Sequence, residues 1–226
     1  MLSVGRLEVA GVFPLGPIQI SVADLLWFLA GVAAMVAVAF FWGGINPATL
    51  IGRLLGRDVT RAGSGNPGAT NAGRVLGRKW GILVGVLDVL KGFLPAFLAA
   101  QFYGLLVGYL LGIAAVLGHV FSPYLRGRGG KGVATALGAI LGVHPWYAVV
   151  LLLVFVVVFA LSRWVALGSL VAAGVMLVGG ALAASGNLPG AAGLPTTIWA
   201  WVLGLIILAR HRGNIIARLR ALGRLD

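Results

Sequence analysis

The sequence has no cysteine, and its 226 residues include only five Asp and Glu and three His. Without thiols there is no disulfide framework, no thiolate metal site and no cysteine nucleophile. The five carboxylates are Glu8, Asp24, Asp58, Asp88 and Asp226. They offer no carboxylate dyad and no metal cage, so neither a metal nor a cofactor is expected. Charged residues of either sign make up 10% of the chain, against 60% hydrophobic. A soluble core of this length would be rimmed by far more charge, so the chain reads as an integral membrane protein. What charge exists is one-sided: 17 Lys and Arg give a formal net charge of +12. Such a balance invites a nucleic-acid partner, but its distribution along the chain argues against one.

The hydrophobic segments are seven. The first runs from Val22 to Leu50, broken near Gly43–Pro47, and is read as a retained span rather than a leader. Others cover Trp80–Phe102, Leu105–Phe121, Trp146–Leu161, Val165–Ala184 and Thr196–Ala209. Val133–Val143 is too short to cross a bilayer unaided and reads as a short buried helix. Residues 1–21, with Pro14, Gly16 and Pro17, form a separate N-terminal extracytoplasmic segment ahead of one membrane domain, 22–226. The fold class is therefore all-α, with seven transmembrane helices. Seven alternating segments place 15 of the 17 Lys and Arg on one face, all but Arg6 and Lys91. The positive-inside rule makes that face cytoplasmic, with the N-terminus outside and the C-terminus inside. The basic excess is thus an orientation signal and a surface for anionic membrane lipids, not a nucleic-acid footprint.

Three polar clusters fall on that face. The first is GSGNPGATNAGR, Gly63 to Arg74. Its backbone groups cannot face lipid unsatisfied, so it lies in water or lines a cavity. Gly63, Gly65 and Gly68 can take positive φ and converge their N–H groups into an anion nest. Ser64, Asn66, Thr70 and Asn71 add neutral partners, and Arg74 adds a fixed cationic fork. This chemistry suits phosphate better than a metal. The run contains a G-x-G-x-x-G string, but no strand precedes it and no βαβ unit follows, which excludes a dinucleotide fold. The second cluster surrounds Arg128 and Lys131 with Gly127, Gly129, Gly130 and Gly132, just after His119. It is not a Walker A loop, because Leu125 and Gly132 stand where glycine and Ser/Thr are needed. Acyltransferases with an Asp five residues after a His are excluded too, since that position is Tyr124. The third cluster is Arg210, His211, Arg212, Asn214 and Arg218. Inside the second span, Asp88 and Lys91 stand three apart and can pair, either as a tie between helices or as part of a site. No carboxylate lies close in sequence to orient His119 or His211.

Taken in order, GSGNPGATNAGR, LDVLKGFLP, GHVFSPYLRGRGGKGVATALG and ARHRGNIIARL resemble the bacterial acyl-phosphate:glycerol-3-phosphate acyltransferase family (PlsY) over Gly43 to Leu219. The resemblance implies a seven-helix inner-membrane enzyme. It would transfer an acyl chain from acyl phosphate to the 1-hydroxyl of sn-glycerol 3-phosphate, giving lysophosphatidic acid and phosphate, with no cofactor. It implies Ser64, Arg74, Lys131 and His211 as catalytic residues, with Asn214 and Ser169 in the same site. The glycines Gly63, Gly65, Gly68, Gly129 and Gly130, with Asn66, Thr70, Asn71, His119 and Arg212, would complete the substrate contacts. The chain departs from the family's serine run at Ala166, and Leu225 stands where a late glutamate is usual. Expected partners are acyl phosphate, glycerol 3-phosphate and membrane lipids, and the protein is expected to act as a monomer. The proton of the hydroxyl goes to a substrate phosphate in this reading, with His211 or His119 as the alternative base. A transporter would show inverted repeats and polar residues on both faces, and neither is seen.

Overall fold

The computed structural model describes residues 7–9, 18–187, 190–191 and 193–224. Six of the seven apolar segments each form one helix, and the first is divided between two. α1 (Val22–Gly44) starts at a capping box, Ser21 with Asp24, and ends where Asn46 and Pro47 begin α2 (Pro47–Leu54). Proline is fixed near helical φ and needs no N–H at the first helical position, so the break falls there. The basic stretch that follows contains a further helix, α3 (Ala69–Leu76). α4 (Arg78–Tyr103), α5 (Leu105–Val120), α6 (Val133–Val143), α7 (Pro145–Ser162) and α8 (Val165–Ala184) follow. α9 (Leu194–Arg210) bends by 41° into α10 (Arg212–Ala221).

Five of these helices are long and apolar enough to cross a membrane, and six if α9 and α10 count as one bent span. α6 has 11 residues, about 16 Å of helix against a hydrocarbon core of about 30 Å. It is sheathed by α4, α5 and α7 rather than by lipid. Ahead of α1, Leu7–Val9 and Ile18–Ile20 pair as antiparallel strands β1 and β2. Most of residues 1–21, including Pro14, Gly16 and Pro17, lie outside the described residues, as do part of the 185–195 loop and Leu225.

Small residues set the packing, as expected where helices associate without a hydrophobic gain over lipid. A Cβ at Gly92 would overlap the Thr135 carbonyl, and one at Gly138 would overlap that of Val89. α4 and α6 therefore touch backbone to backbone. The same close approach joins α1 to α5 at Gly118, against the Phe40 carbonyl. The main core lies among α5, α6, α8 and α9, around Val116, Ile140, Met176 and Leu203.

Candidate active site

The loop before α3, the α5–α6 loop, the α7–α8 turn and the α9–α10 junction enclose one cavity of about 740 Å³. Asn71 shapes the first of these. Its Oδ1 accepts from the Ser64 N–H at 2.8 Å, and its Nδ2 donates to the carbonyls of Val59 (2.8 Å) and Ala62 (3.0 Å). The amide is thus spent on the loop's own backbone. Gly63, at φ +61°, packs on the Asn71 oxygen where no side chain would fit. Gly63 and Gly65 do not reach the cavity; Ser64, Asn66, Gly68, Thr70, Asn71 and Arg74 do. Gly68 is not at positive φ, contrary to expectation. At φ −130° it is the N-cap of α3, and no side chain caps that helix. The first-turn N–H groups of α3 are therefore open to an anion.

The glycine loop does not present the substrate contacts expected of Gly129 and Gly130. Gly129 N–H donates to the Val120 carbonyl and Gly130 N–H to that of His119, both at 3.1 Å. Those donors are used internally, and neither glycine lines the cavity. What opens onto the cavity is the start of α6, whose N-cap Gly132 sits at φ +85°, again without a side-chain cap. Lys131 reaches across to hydrogen-bond Asn214 Oδ1. Arg210 donates from Nη2 to the Gly129 carbonyl (3.2 Å) and from Nε to that of Gly130 (3.3 Å). Arg210, rather than Arg212, is the arginine of this junction that lines the cavity. Ser169 lines it from α8 while donating to the Val165 carbonyl at 3.1 Å.

His211 is 2% exposed, and its Nδ1 lies 2.8 Å from the Ile207 carbonyl. A carbonyl only accepts, so Nδ1 carries the proton and Nε2 of the neutral ring is a bare acceptor. Burial pushes the imidazole below its ordinary value and the Lys131 charge adds to this, with the Ile207 bond opposing. Burial also lowers the Lys131 ammonium, and the neighbouring Arg74 and Arg210 lower it further. The partners that the sequence withheld from the histidines thus come from the fold. For His119 it is Asp88, at 3.5 Å from Nδ1.

Among the described residues Asp88 is the one carboxylate lining the cavity, and it is already engaged by Lys91 at 3.0 Å. Among the described residues no three His, Asp or Glu gather as a metal site requires. The cavity continues into an apolar arm lined by Leu137 and Ile140 of α6, Leu151 and Phe155 of α7, and Met176 of α8. Cations and open helix N-termini at one end, hydrocarbon at the other, suit an amphiphile with a phosphate head. Sequence reasoning missed the arm, because its residues look like any other span. It named Arg210 in the third cluster but gave the substrate contact to Arg212, and it left Asp88, in LDVLKG, open between a helix tie and a site residue.

The comparisons with known proteins point the same way. A sequence model of the family described as glycerol-3-phosphate acyltransferase matches residues 33–221. The glycerol-3-phosphate acyltransferase of Aquifex aeolicus (strain VF5) is 40% identical over 183 residues, 80% of this chain and 92% of that protein. That of Myxococcus xanthus (strain DK1622) is 47% identical over 141 residues, 61% of this chain and 73% of its own. Two crystal structures of PlsY (YgiH), an integral membrane glycerol 3-phosphate acyltransferase, share the fold. The glycerol 3-phosphate form superposes with a TM-score of 0.77 at 37% identity, covering 87% of this chain and 94% of that one. The lysophosphatidic acid form gives 0.75 over the same shares. On the match across most of its length, the chain belongs to the glycerol-3-phosphate acyltransferase family.

Proposed function

We propose that this glycerol-3-phosphate acyltransferase takes its acyl chain from acyl phosphate and delivers it to the 1-hydroxyl of sn-glycerol 3-phosphate. The observation that carries this reading is the continuity of one cavity. Arg74, Lys131 and Arg210 stand at its polar end and the arm from Phe155 to Met176 at the other. A donor whose phosphate is bonded directly to the acyl carbonyl spans that junction without needing room for a nucleotide. The hydroxyl oxygen bonds to the acyl carbon, the bond from that carbon to the phosphate oxygen breaks, and phosphate leaves. The hydroxyl proton passes to a phosphate oxygen, so no covalent enzyme intermediate is required. Ser64, Arg74, Lys131 and His211 surround this centre. Thr70, Asn66, Asn214 and Ser169 hold the two phosphates and the glycerol hydroxyls, and the N-termini of α3 and α6 add N–H donors. Catalysis then rests on positioning and on meeting developing negative charge.

In this reading the site faces the cytoplasm of an inner-membrane protein with its N-terminus outside, acting as a monomer without metal or cofactor. The asymmetry of Arg and Lys between the two ends of the helices supports that orientation. Purified protein given acyl phosphate should release phosphate only when glycerol 3-phosphate is added, and acyl-CoA should not replace the donor. Equal rates with acyl-CoA would overturn the donor assignment. Cysteines placed at Thr60 and Ser122 should label from the cytoplasmic side and one at Ser185 from outside.

A further inference from the structure

The buried charge pair of α4 takes no part in the transfer just described. Asp88 and Lys91 are 2% and 4% exposed. Lys91 Nζ is 3.0 Å from Asp88 Oδ1 and donates to the carbonyl of Ile45, the residue that ends α1, at 2.8 Å. Asp88 Oδ1 also lies 3.5 Å from His119 Nδ1. Neither of these two atoms makes a well-aligned hydrogen bond, so the charge contact is what compensates their burial. Ions buried among membrane helices are costly, and a tie between helices could be built from apolar residues. A pure tie has no reason to line the cavity, yet Asp88 and His119 both do.

From His119 the contacts continue toward the cations. Its Nε2 edge packs on Gly130, where any Cβ would overlap the ring. The carbonyls of His119 and Val120 accept from Gly130 and Gly129, whose own carbonyls accept from Arg210. Lys131 is the next residue. One uninterrupted path thus joins the α4 carboxylate to Lys131 and Arg210, two of the cations that line the cavity.

We propose that Asp88, held by Lys91, is a positioning residue for acyl transfer. It fixes the His119 ring, the ring sets the Gly129–Gly130 pair, and that pair aims Lys131 and Arg210 at the bound phosphate. The inference rests on the cavity being the acyl-transfer site.

The test is a double-mutant cycle on the full-length protein in lipid, with turnover and glycerol 3-phosphate calorimetry read for every variant. Asp88→Asn should lower turnover on the order of a hundredfold, the scale of a ~1 Å misplacement of a catalytic group. In a Lys131→Ala/Arg210→Gln background the same change should have little further effect, because both groups it positions are gone. A merely structural role would lower the active fraction by the same factor in both backgrounds, and that additive outcome overturns the proposal. If Asp88→Asn fails to fold, Gly130→Ala carries the same cycle with the charge pair intact, and additivity there overturns it equally. Should the wild type bind glycerol 3-phosphate yet not use acyl phosphate, the donor assignment fails alone. Positioning is then read as weaker glycerol 3-phosphate affinity in the Asp88 or Gly130 variant, and unchanged affinity overturns it.

Discussion

Two buried polar clusters occupy opposite ends of the helix bundle, and they are built on opposite logic. At the starts of α5, α7 and α9, Tyr109 OH lies 2.6 Å from both His144 Nε2 and Thr196 Oγ1, and its ring stacks on Trp199 at 4.7 Å. Both partners of that hydroxyl lie within the protein. No charge is present, and none of these side chains lines the cavity at the cationic end. At the other end Arg74, Lys131, Arg163 and Arg210 line open space with like charge, and Asp88, among the described residues the carboxylate that lines it, is committed to Lys91 and His119. The first cluster meets its hydroxyl within the chain and leaves Trp199 Nε1 buried without a partner. The second is completed only by an anion. A polar group's residue type therefore says less than whether its partners lie inside the chain.

The largest break between the two should come from Lys131→Ala. Contacts to charge developing in a transition state are worth about 2.7–4 kcal/mol, so turnover should fall roughly a hundred- to thousandfold. Thermal stability should not fall with it, since removing one of four like charges at the cavity relieves repulsion. Activity within about threefold of wild type would reduce Lys131 to a topology signal. Tyr109→Phe should do the reverse. Removing a buried hydroxyl with two partners should cost about 1–3 kcal/mol of stability and leave turnover as it was. A loss of turnover with unchanged stability would join the two ends functionally and sink the contrast.

The same contrast marks how far the sequence could be read. The seven apolar segments, the break before Pro47, the short α6 and the three polar clusters were legible because periodicity, proline and glycine act locally. What each polar group bonds to was not. Asn71 reads as a ligand until its amide is found holding Val59, Ala62 and Ser64. Gly129 and Gly130 read as substrate contacts until their N–H groups are found on Val120 and His119. Arg210 and Arg212 are two apart, and only the direction of α9 as it ends turns the former inward. Asp88 and His119 stand 31 positions apart in sequence, so helix packing alone brings them together. The glycine backbone contacts of α4 with α6 and of α1 with α5 follow from the same nonlocal packing.

A finer prediction concerns pH. Arg74 and Arg210 help push the Lys131 ammonium down, after burial. The cationic form is the one that meets phosphate, so activity should fall as pH rises through that lowered value. Arg210→Gln removes a like charge, lets the amine hold its proton to higher pH, and should move the alkaline limb of kcat/KM upward. A limb that stays in place would show that a different group titrates there.

The smallest expected effect, and the sharpest test of the chemistry, is at His211. Its ring is oriented by the Ile207 carbonyl, so the nitrogen left for ligands is an unprotonated acceptor. An acceptor is poorly matched to a phosphate oxygen and well matched to a glycerol hydroxyl. Two roles follow: Nε2 holds a hydroxyl, or it removes the hydroxyl proton as base. With a substrate phosphate taking the proton, His211→Gln should keep turnover within about tenfold and mainly raise KM for glycerol 3-phosphate, the mark of uniform binding. As base, His211 must be neutral to act, so activity would fall as pH drops through its value, lowered by burial from the usual histidine value of about 6.5. His211→Gln would then abolish that acid limb and cost about a thousandfold in turnover, within the scale of general-base catalysis. The pH–rate profiles of wild type and variant at saturating substrates separate the two. An acid limb that survives in His211→Gln, with turnover nearly intact, leaves the proton to the substrate.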